Sequence, residues 1–393
     1  MNTPESHIYL DHSATTPVDP RVVEAMAPYW NEIFANNESS HAFGQAAASA
    51  LEGARQTVAD VLGCRHSEIV FTASGTEADN LALRGVAWEA RQNGRGNHIV
   101  TTPIEHHAVG HTVDQLRDLF GFEVTRVGVD ERGRVAPDDV KAAIRPDTVL
   151  VSVMMANNEV GTVQPMVKIG RICRELGVLF HTDAVQAAGR LPLEPDDMNV
   201  DLMALSAHKF YGPKGTGLLY VRRDTALVPA ITGGEHERGR RPGTVNVAGA
   251  VGLATALRLA EEERVEEAAR LRRLRDQLIS GVLDSIPDSR LTGHPKTRLP
   301  HHASFVFCGV EGESVVLDLD LEGIAVSSGA ACAEGEAEPS FVLKAMGVPR
   351  EWGIGSLRIT LGRANNGADV ARVLEVLPPI VERLRARGPT CKR

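Results

Sequence analysis

From about residue 45 to residue 210 the chain alternates long amphipathic segments with short runs of apolar and β-branched residues. This alternation constrains the fold more than any other feature. "AAASALEGARQTVADVLG" carries its apolar residues at helical spacing, "EIVFTA" reads as a strand, "TEADNLALRGVAWEARQ" as a helix and "HIVTT" as a strand. The pattern continues with a helix near 107–120, the strand "FEVTRV", a helix near 137–145, "TVLVSVMM", a helix near 165–176, and then "VLFHTD" and "LMALS". Strands that are apolar almost throughout and separated by helices predict an α/β fold with a largely parallel sheet covered on both faces. Reactive side chains in such a sheet gather beyond the carboxyl ends of its strands.

Each of those strand ends carries polar groups, and each has an ordinary structural explanation beside a chemical one. After "EIVFT" come Ser74, Gly75 and Thr76 at a helix N-terminus, suited either to a phosphate or to simple capping. After "HIVTT" come Glu105, His106 and His107, with no third ligand at metal-binding spacing nearby, so that His106 reads first as a packed ring. Asn157, Asn158 and Glu159 follow "VLVSVMM", and Asp183 ends "VLFHTD"; a carboxylate buried there needs a partner, which a protonated heterocyclic nitrogen would supply. "LSAHKFYGPKG" then places Ser206, His208 and Lys209 where an amine shielded from water becomes a nucleophile toward an aldehyde. Phosphate seat, imidazole, amide, carboxylate and lysine in order at successive strand ends describe a pyridoxal phosphate pocket, and no metal site.

Beyond Thr244 the character changes. "AVGLATALRLAEEERVEEAARLRRLRDQLISGVLDSI" is one long charged helical stretch without proline, able to bridge two domains. "ASFVFCG", "GIAVSSG" and "SLRITLG" then alternate with helical stretches near 312–321, 338–346 and 367–386, enough for a small α/β domain. At 393 residues the chain is long enough for one large and one small domain. A net charge of −9 without a long basic run argues against a nucleic-acid or membrane-surface partner. Cys64, Cys173, Cys308, Cys332 and Cys391 include no C-x-x-C pair, which predicts free thiols in a reducing compartment. The polar N-terminus lacks a signal core and the longest apolar run, "TVLVSVMMA", is too short to span a bilayer, so a soluble cytoplasmic protein is expected.

The motifs "YLDHSATTP", "EIVFTASGTEADN", "ANNEVG", "HTDAVQ", "SAHKFYGPKG", "GGEHERGRRPGT" and "AVSSGAACAEGEAEPS" together resemble the cysteine desulfurases, the NifS/IscS-like branch of the class V aminotransferase superfamily, over nearly the whole chain. The resemblance implies PLP fold type I: a large domain with a mainly parallel seven-stranded sheet (16–261) and a small α/β domain (1–15 with 262–393) carrying the catalytic-cysteine loop. It implies that Lys209 bonds the aldehyde of pyridoxal 5'-phosphate, Asp183 holds the ring nitrogen protonated, and His106 stacks on the ring and shuttles a proton. Asn158 and Gln186 would meet the ring hydroxyl region, and Gly75, Thr76, Ser206 and His208 the phosphate. Thr244 would reach the phosphate site of the other subunit of a homodimer. Arg358 would bind the substrate carboxylate with Asn36 as its helper. Cys332, in a run of small residues suited to a mobile loop, would take sulfur from L-cysteine as a persulfide, leaving L-alanine. It would then pass that sulfur to an acceptor protein in iron–sulfur cluster assembly, tRNA thiolation or DNA phosphorothioation. Selenocysteine lyase, class V aminotransferase and partner-activated sulfur-relay subunit are the rival readings. The sequence departs from the family pattern at Asn37 and Glu38, and at Glu334 and Glu336, whose charge beside Cys332 would raise its thiol pKa.

Overall fold

The computed structural model describes residues 7–386 except 330, 334 and 335, with the backbone but not the side chains of 331–333, 336 and 337. A two-residue strand, β1 (Ile8–Tyr9), precedes the strands of the main sheet: β2 (Ile69–Thr72), β3 (His98–Thr101), β4 (Glu123–Arg126), β5 (Thr148–Ser152), β6 (Leu179–Asp183), β7 (Leu202–Ser206) and β8 (Gly217–Val221). Their order is β2-β8-β7-β6-β5-β3-β4. From β4 to β7 every neighbouring pair is parallel, whereas β8 runs antiparallel to both β2 and β7.

Six of the seven strands therefore point their carboxyl ends toward one edge of the sheet. β2, β3 and β5 to β8 are buried along their full length or nearly so, as an apolar run covered on both faces requires, and β4 lies more exposed at the sheet's end. β8 was not among the strands expected from sequence. "GTGLLYV" follows β7 after a short turn, and so short a connection can only return the chain antiparallel.

The remaining strands form smaller sheets: β9 (Ser289–Leu291), β10 (His302–Phe307), β11 (Ile324–Ala325), β12 (Ala331–Ala333), β13 (Glu336–Glu338) and β14 (Ser356–Thr360). β9, β10 and β14 are antiparallel in the order β14-β10-β9, β12 pairs with β13, and β1 crosses from the N-terminus to pair with β11. The helix Val247–Ser285 serves two cores. Its first half packs Leu253, Leu257 and Ala260 with Phe180 and Phe210 under the main sheet. Its second half packs Leu271, Leu278 and Val282 with Phe305, Phe307 and Leu10.

Cys64 and Cys173 are free, but Cys308 is disulfide-bonded. That corrects the expectation of five free thiols: scattered spacing along the chain does not report distance in space. Among the described residues no helix is long and apolar enough to cross a membrane.

Candidate active site

A cavity of ≈ 290 Å³ opens at the carboxyl ends of the parallel strands. Lys209 reaches it from the turn Ala207–Lys209 directly after β7, and its Nζ donates to the carbonyl oxygens of Ser13 and Ala14, both at 2.7 Å. Burial, reinforced by the positive charge of Arg358, pulls the amine down to about 8 against the opposing pull of Asp183 and Asp11. At that value roughly a tenth of the amines are neutral at pH 7 and available for attack.

Asp183 ends β6 and is only 6% exposed; one carboxylate oxygen accepts the N–H of Val185 at 2.9 Å. Burial raises its pKa, while the charges of His106 and Lys209 oppose the rise. Asp79, from the helix Gly75–Gln92, is fully buried at the same cavity, and Glu105 lies behind it, pushed up to about 8 by burial. His181 sits 3.4 Å from Asp79 and bonds Ser152 through Nδ1 at 2.8 Å; burial takes it down to about 3, so it is neutral. A floor of buried carboxyl groups is costly, and a cationic ring nitrogen over Asp183 would offset part of that cost.

The helix Gly75–Gln92 starts at the cavity wall, where Ser74 Oγ caps it by accepting the N–H of Glu77 at 3.1 Å. Gly75 is required by space: a Cβ there would come within 2.7 Å of Val185 Cγ2 and 3.2 Å of Ser206 Cβ. Thr76, Ser206 and His208 line the cavity beside it, and His208 Nδ1 meets the Thr15 hydroxyl at 3.0 Å. Burial and the charges of Lys209 and Lys214 hold His208 down to about 4, a neutral ring. Free N–H groups, hydroxyls and a helix N-terminus make this wall an anion seat.

His106 caps the helix His107–Phe120, its Nδ1 accepting the N–H of Ala108 at 3.1 Å, which leaves Nε2 to carry a proton on the cavity side. Gln186 and the Asn158 side chain complete the lining, with Gln186 Nε2 donating to the Ser13 carbonyl at 3.0 Å. Arg358 enters from β14; Nη2 meets Asp11 Oδ1 at 2.8 Å and Nη1 the Asn158 carbonyl at 3.1 Å.

One cavity thus gathers Gly75, Thr76, His106, Asn158, Asp183 and Gln186 together with Ser206, His208, Lys209 and Arg358. Asn36 is not among them: it is exposed and lines a separate hollow with Phe34 and Phe43. Thr244 is exposed and also outside the cavity lining. The backbone of Cys332 belongs to β12, opposite Ala337 of β13, while its side chain and those of Glu334 and Glu336 lie outside the described residues.

Sequence reasoning missed Ser13, Ala14, Asp11 and Asp79. "DHSATT" is visibly a polar run after a strand-like pair, but nothing in it tells which strand end it packs against, some 195 residues away.

Residues 8–373 match the class-V aminotransferase family. The cysteine desulfurase IscS of Methanosarcina thermophila is 49% identical over 389 residues, spanning 99% of this chain and 95% of its own. That of Dictyoglomus turgidum is 47% identical over 382 residues, 97% of this chain and 96% of its own. Among solved structures, a NifS-like protein superposes with a TM-score of 0.90 at 39% identity, covering 96% of this chain and 100% of that one. SspA, solved in complex with cysteine, superposes with a TM-score of 0.78 at 34% identity, covering 91% and 99%.

Proposed function

The chain belongs to the class-V aminotransferase family and within it to the cysteine desulfurases, and from that premise we propose that its cavity holds pyridoxal 5'-phosphate and that L-cysteine is converted there to L-alanine and a sulfur atom carried on Cys332. The observation that carries the reading is a half-buried amine, Lys209, facing the same cavity as a buried carboxylate, Asp183, and a guanidinium fork, Arg358. When bound, the cofactor supplies an aldehyde that condenses with amines and a cationic ring that draws electrons from the substrate carbon.

Each residue then has a task. Asp183 keeps the ring nitrogen protonated, and the Gly75–Thr76 helix start with Ser206 and His208 holds the phosphate. Arg358 orients the substrate by its carboxylate through paired N–H donors, exchanging its contact with Asp11. Lys209, once its amine is free, removes the α-proton, and His106 carries a proton at Nε2 between substrate and solvent. The Cys332 thiolate forms a bond to the substrate sulfur; the electrons of the broken carbon–sulfur bond stay with carbon, which gains protons and leaves as alanine. The resulting persulfide passes its outer sulfur to a thiol of an acceptor protein, which supplies the iron–sulfur, tRNA-thiolation or phosphorothioation pathway.

The proposed assembly is a cytoplasmic homodimer with a large domain over 16–261 and a small domain of 1–15 with 262–393. Phe34 and Phe43, each more than 60% exposed and with ring centroids 6.4 Å apart, form an apolar face beside Asn36, which a second subunit would cover. Asn36 and Thr244 would then act across that boundary. Borohydride reduction of the yellow protein, followed by peptide mass analysis, tests the cofactor assignment: the cofactor mass should remain on the peptide carrying Lys209. Its retention on another lysine would contradict the assignment.

A further inference from the structure

Glu159 has no part in the chemistry described above, yet it occupies a crossing point. Its Oε2 is buried without a hydrogen-bond partner among the described residues, and so is Nε of Arg358, whereas buried polar atoms in folded proteins are as a rule paired. Both residues line a cavity of only ≈ 10 Å³ with Ser304, Gly329 and Ser356. That is room for about one water, which would give both atoms a partner.

The same carboxyl lies close to the flanks of the segment that carries Cys332. A Cβ on Gly329 would stand 3.5 Å from Glu159 Oε2, and Gly329 N–H is held by Ser356 Oγ at 3.1 Å. Ser340, at the far end of the segment, caps the helix Phe341–Ala345 by accepting the N–H of Leu343 at 3.1 Å. Leu343, in the helix that Ser340 caps, lines the same small cavity as Glu159, Gly329 and Arg358, so the far end of the segment also comes up to this carboxyl. Burial raises the Glu159 pKa, and the Ser340 hydroxyl and the Arg358 charge offset part of the rise. The backbone closes the frame: Arg358 N–H donates to the Ser327 carbonyl at 2.7 Å and Ser327 N–H to the Arg358 carbonyl at 3.2 Å. Substrate arginine, segment start and segment end therefore meet at one side chain.

We propose that Glu159 is a positioning residue whose hydrogen-bonding carboxyl fixes the Arg358 guanidinium relative to the two flanks of the Cys332 segment. The proposal rests on the reading of Arg358 as the carboxylate-binding residue and of Cys332 as the sulfur acceptor. Its consequence is that the carboxylate of the substrate and the arrival point of the thiol share one reference. Hydrogen-bonding capacity and shape carry the role, so Glu159→Gln preserves it and Glu159→Ala removes it.

The test uses the cofactor-loaded full chain. Cysteine affinity is read from the cofactor absorbance change in a Cys332→Ala background, and persulfide formation on Cys332 from single-turnover mass spectrometry. Glu159→Ala should weaken cysteine binding about tenfold and slow persulfide formation about tenfold or more, with Glu159→Gln within about threefold of wild type on both. Cofactor absorbance without cysteine should be unchanged in both variants. Glu159→Ala matching wild type would overturn the proposal, as would Glu159→Gln failing equally or Glu159→Ala losing the cofactor.

Hydrogen exchange over residues 327–329 and 340–345, measured without cysteine, separates this inference from the functional reading. Faster exchange in Glu159→Ala supports the frame even if the wild type forms no persulfide. Unchanged exchange overturns it.

Discussion

At the scale of single residues, the account turns on Lys209 and its surroundings. Its amine is pulled from 10.5 to about 8, so the neutral, nucleophilic form grows about tenfold per pH unit below 8 and levels off above it. Cofactor uptake by the apoprotein should follow that curve; a rate still rising steeply at pH 9.5 would mean the amine is not shifted. Lys209→Ala should lose the cofactor absorbance and at least about 10³-fold of activity while folding normally, as read by circular dichroism.

Much of this site was legible from residue types alone, because a parallel sheet delivers its strand ends to one edge. Lys209, Asp183, His106 and Ser206 each follow an apolar run that could be recognised in the sequence. The carbonyls of Ser13 and Ala14 were not legible, since a backbone acceptor leaves no mark in a sequence. Nor was the buried floor of Asp79 and His181, where a carboxylate inside an amphipathic helix reads as solvated until the sheet covers it.

At the scale of elements, the decisive contact is the approach of the helix Gly75–Gln92 to β7. Gly75→Ala improves intrinsic helix propensity, yet its Cβ would press on Val185 and Ser206 at the cavity wall. The expected result is a lowered Tm with cofactor affinity lowered about tenfold, measured by titrating cofactor into apoprotein; unaltered affinity would remove the helix start from the site. The helix Val247–Ser285 presents a second case. Its length and its capacity to bridge two domains were plain from the unbroken charged pattern. The place where one core gives way to the other, between Ala260 and Leu271, is not marked by apolar spacing, which is similar in both halves, and the boundary at 261/262 came from the resemblance alone. Leu271→Ala, at a position with no exposure, should cost about 2–5 kcal/mol in denaturant unfolding. β8 escaped for a related reason: a short apolar run after a Gly–Pro turn has no period that separates strand from buried loop.

At the scale of the whole molecule, the single chain leaves two assigned residues, Asn36 and Thr244, away from the cavity and an apolar face uncovered beside one of them. The proposed dimer would resolve both, and sedimentation equilibrium should show it at micromolar concentration; Phe34→Asp should shift the equilibrium toward monomer by about tenfold or more and lower activity with it. Fully active monomers would contradict the assembly. The central claim, that this cavity and Cys332 together move sulfur from cysteine, is tested most directly by following alanine and sulfide from L-cysteine and a thiol reductant. Cofactor-loaded wild type and Cys332→Ala are assayed side by side. The account predicts equimolar alanine and sulfide from the wild type and neither from the variant, with the cofactor spectrum intact in both. Equal turnover in the two proteins, or none in the wild type despite a normal spectrum, would contradict it.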